Sequence, residues 1–166
     1  MLKRIEKIEE KYNRITGMLI EKNITIATME SCTSGFIASL LTDKEGASAV
    51  VRGGYVTYTN QEKIRLGVLP EVIEKYGVYS EETAAQMAVC CQEAFRVNIG
   101  IGVTGSFGNV DPANRDSLPG QVYFSIAFDD DVYMYKREIG AETDRFSYKL
   151  AMADLIGDAL MELIGG

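Results

Sequence analysis

The stretch TIATMESCTSGF, residues 25–36, leaves a β-branched run and places Glu30, Ser31, Cys32, Thr33 and Ser34 in a row before Gly35. A plain turn needs only one or two such residues. Hydroxyls beside the free N–H groups of a helix start suit an anion, or a carbonyl oxygen that gains charge. The same residue types also serve as an ordinary N-cap turn. Further along, VTYTNQEK supplies Tyr58, Asn60 and Lys63. A Lys in the first turn of a helix sits in an unfavourable field, which lowers its pKa. If it loses its proton near neutrality it can act as a general base for Ser. Ser48, after Gly46 and close to a strand start, is a second candidate nucleophile. Cys32 is a third, because thiolate character rises at helix N-termini.

Composition narrows the chemistry. The chain has no His, which removes Ser-His-Asp and Cys-His mechanisms and His-based zinc sites. Three cysteines (Cys32 and the vicinal Cys90 and Cys91) form no even framework and cannot hold a structural zinc alone. A hydrolase built from this chain must take its base from Lys, Tyr or a carboxylate. Seventeen Lys and Arg against 24 Asp and Glu give a net charge of −7, which repels nucleic acid backbones. No apolar run reaches the roughly 18 residues of a membrane span, and the charged N-terminus lacks the apolar segment of a signal peptide. The expectation is a soluble, cytoplasmic protein that binds neither nucleic acid nor membrane.

Two further segments could hold a substrate. VTGSFGN follows a strand, so Thr104, Gly105, Ser106 and Gly108 could let backbone amides approach a phosphate, although a short Gly-x-x-Gly is a weak signal. Arg145 opens the last helix and could clamp a phosphate. Asp111, Asn114 and Asp116 lack calcium-loop spacing and read as turn residues. The whole segment 106–120 is long for a compact domain, which points to a functional or disordered loop.

Periodicity supplies the scaffold. Leu2, Ile5, Ile8, Tyr12, Ile15 and Leu19 recur at steps of three and four, predicting a helix over 2–22 whose Lys3, Lys7 and Lys11 form a solvated face. Residues 24–28, 49–59 and 99–105 read as strands, with a bulge at Gly53 and Gly54. Residues 121–128 and 132–139 read as a hairpin across DDD. Short helices are expected over 36–43, 60–67 (Asn60 as N-cap) and 69–77. A helix capped by Ser80 carries Ala84, Met87, Ala88, Cys91 and Phe95, and a closing helix carries Phe146 to Leu163. This order predicts an α/β fold: one three-layer α/β/α domain over 1–166, with a mixed sheet covered by helices on both faces. The aromatic residues of VYMYKREI hint at a subunit contact, so a homo-oligomer is expected.

Residues 25–68, together with YGVYSEETAAQMA, IGIGVTG, PGQVYFSIA and TDR, resemble the C-terminal domain family of competence/damage-inducible protein CinA, in family order and spacing over about residues 16–160. Stand-alone members of that family are nicotinamide-nucleotide amidases. The resemblance implies hydrolysis of the carboxamide of nicotinamide mononucleotide, a small-molecule nucleotide, without metal or cofactor. It implies Lys63 as base, Tyr58 as proton relay or orienting group, and Ser48 and Ser31 as nucleophile and its hydrogen-bonding partner, with Ser48 the favoured nucleophile. Glu30, Cys32, Thr33, Gly35, Asn60, Thr104, Gly105 and Arg145 would surround the substrate. Two departures stand out. Ser34 replaces a usual Gly, and TGSFGNVDPANRD stands where amidases carry a Gly-rich loop resembling TGIAGPGGG. An amidase for another nucleotide amide, or a nucleotide-binding module without turnover, therefore stay open as alternatives.

Overall fold

The computed structural model describes residues 1–166. The chain runs α1 (Leu2–Lys22), β1 (Ile26–Glu30), α2 (Phe36–Thr42), a single 3₁₀ turn (Ala47–Ala49), β2 (Val51–Val56), α3 (Asn60–Arg65), α4 (Pro70–Tyr76), α5 (Glu81–Phe95), β3 (Ile99–Gly105), β4 (Gln121–Phe128), β5 (Asp131–Glu138) and α6 (Arg145–Gly165). The five strands form one sheet in the order β2-β1-β3-β4-β5. β2, β1 and β3 are parallel, while β4 and β5 return antiparallel as the expected hairpin. Helices α1, α2 and α6 pack together on one face and α5 covers the other, giving the three layers that the element order predicts.

Each layer has a local cause. The apolar stripe of α1 buries Ile8, Tyr12, Ile15 and Leu19, and the Tyr12 hydroxyl donates to the Ala153 carbonyl of α6 at 2.9 Å. Lys11 departs from the solvated face expected of it, because it bonds Asp154 and Asp158 on α6. β1 and β3 lie between both helical layers and are buried at every position, as central parallel strands are. The alternating glycines of IGIGVTG let α5 approach closely: a Cβ at Gly100 or Gly102 would collide with the carbonyls of Ala88 and Ala84. The register of β1 against β2 shifts between Ile26 and Ala27, opposite Val51 and Gly53, so the bulge suggested by the paired glycines is present.

Glu30 decides how the chain leaves β1. It is fully buried, and its carboxylate accepts from the Thr33 hydroxyl at 2.6 Å and from the amides of Gly35 (3.1 Å), Ile37 (3.1 Å) and Ala38 (2.8 Å). Gly35, the residue before α2, has φ 90° and no side chain to cap with. The carboxylate at the end of β1 therefore satisfies the first turn of α2 in place of a neighbouring cap. This corrects the expectation that Glu30, Thr33 and Gly35 contact substrate: all three are spent on each other. Replacing Glu30 with Ala would orphan several buried donors, at about 1–3 kcal/mol each. We expect Glu30→Ala to lower the denaturation midpoint sharply, with Glu30→Gln intermediate, in equilibrium urea unfolding followed by circular dichroism.

Candidate active site

Parallel strands deliver their carboxyl ends to one edge of the sheet, where sites in open α/β folds collect. Glu30 pairs with Val56 and Val103 in register, so the residues after β1, β2 and β3 emerge side by side. Ser31 follows β1, Thr57 to Lys63 follow β2, and Ser106 follows β3. These segments line a cleft of about 450 Å³, which loop 106–120 closes from above with Phe107, Val110, Asp111 and Asn114.

At the floor of the cleft the Lys63 amine donates to Ser31 Oγ at 3.0 Å and to the Thr57 carbonyl at 2.8 Å. Lys63 is only 1% exposed, and no carboxylate lies within ion-pair distance of it. Burial lowers its pKa from 10.5 to about 8. The cause is desolvation; Lys63 stands in the last turn of α3, where the helix field favours a cation, and not in the first turn expected from sequence. Cys32 and Asp111 oppose the shift. The Cys32 thiol is itself pushed up to about 12, first by burial and then by Glu30. It is therefore uncharged near neutrality, which leaves Asp111 as the effective counterweight and removes Cys32 as a thiolate nucleophile. Ser31 is held by its own amide, which donates to the Val103 carbonyl at 3.0 Å. The next amide, that of Cys32, donates to no oxygen of the protein and stands beside Ser31 Oγ in sequence.

Ser48 does not join this group. It lies exposed in the 3₁₀ turn that precedes β2, and its carbonyl accepts from Arg52. Lys63 lies beyond the other end of β2, a strand that at ~3.3 Å per residue spans roughly 20 Å. A position before a parallel strand is at the wrong end of the sheet. Tyr58 is 60% exposed, and its oxygen accepts from Arg145 Nη2 at 3.4 Å; it makes no hydrogen bond to Lys63. The guanidinium of Arg145 also lies 5.4 Å from the Phe107 ring, which in turn stacks on Tyr148. Thr104 is buried and donates to the Val78 carbonyl; it does not line the cleft, whereas Gly105 does. The N-cap of α3 is Thr59, whose hydroxyl accepts from the Glu62 amide, and not Asn60.

Asn60 is used differently. Its Nδ2 donates to Asn114 Oδ1 at 2.9 Å, Asn114 donates to Asp111 Oδ2 at 2.7 Å, and the Tyr79 hydroxyl donates to the same oxygen at 2.6 Å. This chain of bonds ties loop 106–120 to both α3 and the segment before α5. The bonds from Asn114 and Tyr79 hold the Asp111 carboxyl below its ordinary pKa, with a smaller contribution from Lys63. Asp111 is thus more than a turn residue, although its Oδ1 does accept the Ala113 amide as in an Asx turn. Tyr79 and Phe107 were missed as site residues. The only sequence signal for them is an aromatic beside a helix cap and another just after a strand end.

The profile of the CinA C-terminal domain matches residues 8–161. A protein of Clostridioides difficile named as competence-damage inducible is 35% identical over 150 residues, 90% of this chain and 35% of that protein. A CinA-like protein of Kosmotoga olearia is 32% identical over 160 residues, 94% of this chain and 39% of that one. The chain thus spans well under half the length of these curated relatives. Among solved structures, a competence/damage inducible protein of Agrobacterium tumefaciens superposes with a TM-score of 0.83 at 34% identity, covering 95% of this chain and 94% of that one. A CinA superfamily protein of Klebsiella pneumoniae reaches 0.87 at 21% identity, covering 95% and 98%, a likeness of fold. With the family profile matched over nearly its whole length, the chain belongs to the CinA C-terminal domain family.

Proposed function

We propose that this chain is a metal-free amidohydrolase with Ser31 as nucleophile and Lys63 as general base. The observation that carries this reading is the buried Lys63 amine 3.0 Å from Ser31 Oγ, with no carboxylate paired to it. Neutral Lys63 takes the hydroxyl proton as Ser31 Oγ adds to the amide carbon. In this reading the Cys32 amide, which bonds no oxygen of the protein, turns to the resulting oxyanion, a role in which one well-aimed donor contributes roughly 3 kcal/mol. The tetrahedral intermediate collapses as the Lys63 ammonium gives its proton to the departing nitrogen, releasing ammonia. Water, deprotonated by the now neutral Lys63, cleaves the ester; Ser31 regains a proton and a carboxylate product leaves.

The substrate class follows from the rest of the cleft and from the family. Arg145, over Phe107 and next to Tyr58, is the cationic end and suits a phosphate. Tyr58 in this reading orients Arg145 and does not relay the Lys63 proton. Asp111 is the single carboxylate lining the cleft and suits a cationic ring. Nicotinamide mononucleotide, the amide implied by the family resemblance, carries a phosphate at one end and a cationic ring with a carboxamide at the other.

We expect Ser31→Ala and Lys63→Ala each to lower ammonia release from nicotinamide mononucleotide by at least about a thousand-fold, and Ser48→Ala to leave it unchanged. Full hydrolysis by Lys63→Ala would remove the mechanism. The pH dependence has a definite sign. The neutral amine is the active form, and with a pKa of about 8 roughly a tenth of it is neutral at pH 7. A plot of kcat/KM against pH should therefore rise through neutrality and level off above about pH 8, and a rate that falls over that interval would contradict a Lys63 base.

A further inference from the structure

Two buried polar side-chain atoms have no hydrogen-bond partner within the protein, Asn13 Oδ1 on α1 and the Thr57 hydroxyl. A buried hydroxyl left unpaired is uncommon and works against stability, so its place in the fold calls for a reason. Thr57 is fully buried and does not line the cleft, yet its carbonyl is one of the two partners of the Lys63 amine.

The side chain and the amine stand on one face of the sheet. Alternation along β2 puts Thr57 on the face of Tyr55, which packs against Met29, Val68, Met87 and Cys91. The chain after α3 runs over that same face, where the Val68 amide donates to the Lys63 carbonyl. Thr57 Oγ1 and the Thr57 carbonyl oxygen belong to one residue. A turn about the Cα–Cβ bond therefore brings the hydroxyl toward the amine and leaves the backbone contact in place.

Protonation changes what the amine needs. A neutral Lys63 that accepts the Ser31 proton turns its lone pair to Ser31 Oγ and one N–H to the Thr57 carbonyl. Its remaining N–H is a weak donor. Once the proton has moved from Ser31 Oγ to Nζ, Lys63 is an ammonium with three N–H donors, and a hydrogen bond from a charged donor is about twice as strong as a neutral one. No carboxylate lies within ion-pair distance to take the third.

We propose that Thr57 is a positioning residue for the base: its hydroxyl accepts the third N–H of the Lys63 ammonium while Lys63 holds the proton taken from Ser31. The inference rests on the Ser31–Lys63 reading of the cleft. When the proton passes on to the departing nitrogen the ammonium is neutral again and the contact relaxes. An acceptor that is idle at rest and engaged as charge develops lowers the barrier without tightening substrate binding.

Thr57→Val keeps the shape and removes the hydroxyl. Ammonia release from nicotinamide mononucleotide should then fall about ten- to a hundred-fold in kcat, with KM changed less than about three-fold. The urea midpoint should hold or rise, because the hydroxyl has no partner to lose. Thr57→Ser should recover most of the rate. The pH profile should shift to lower pH, since losing a partner of the ammonium lowers the Lys63 pKa. Cys32 and Asp111, which bear on Lys63, and Tyr58, Tyr79 and Arg145, which line the same cleft, are all kept in this variant. NMR titration of the Lys63 ε-carbon reads the same displacement with no substrate present. Full kcat in Thr57→Val beside an inactive Lys63→Ala would overturn this inference and leave the Ser31–Lys63 reading standing. So would a loss of rate matched by a lower urea midpoint. A fully active Lys63→Ala would end both. Should the wild type not turn over this amide, the NMR midpoint decides alone: a downward shift in Thr57→Val sustains the contact, and an unmoved one overturns it.

Discussion

An ammonium group buried without a counterion is the constraint around which the cleft is arranged. Lys63 has almost no contact with solvent, and its two partners are a hydroxyl and a carbonyl. Neither neutralises a positive charge. A displacement from 10.5 to about 8 corresponds to about 3 kcal/mol against the charged form. Near neutrality the fold carries that cost, and packing elsewhere must offset it. A group that is expensive to keep protonated is one that readily surrenders its proton, which a chain without His has few other means of arranging.

The topology makes this burial possible. Three parallel strands with matched ends bring Ser31, Lys63 and the start of loop 106–120 together, although these segments are far apart in sequence. Helix α5 contributes from below by lying close against Gly100 and Gly102, which keeps β3 and β1 in the dry interior. Above, the bonds among Asn60, Asn114, Asp111 and Tyr79 hold the loop over the Lys63 amine. These tethers need side chains, which a run of glycines at the same place would not supply.

Much of the scaffold was legible because it depends on period. The stripe Ile8, Tyr12, Ile15 and Leu19 and the cap at Ser80 are local signals, and both emerge where the pattern places them. Lys63 and Ser31 were named from their types and from the family spacing. What the sequence could not convey was burial: nothing local distinguishes a Lys at 1% exposure from one in water. Ser48 misled because nearness to a strand in sequence says nothing about which end of the sheet a residue reaches. Glu30 misled because its partners, Ile37 and Ala38, lie in the following helix, where a carboxylate in a polar run gives no sign of reaching. Asp111 was read as a turn residue because its bond to Tyr79 spans 32 positions.

The Glu30 carboxylate has one more consequence. A helix start is ordinarily a vacant socket for a negative group, and the polar run at 30–34 reads as such a socket. In this chain the socket is plugged by the protein's own carboxylate. The first amides of α2 are thus closed to any outside anion. On the proposed reading, the task of holding a phosphate passes from the helix start to Arg145, because of a carboxylate the substrate would never touch.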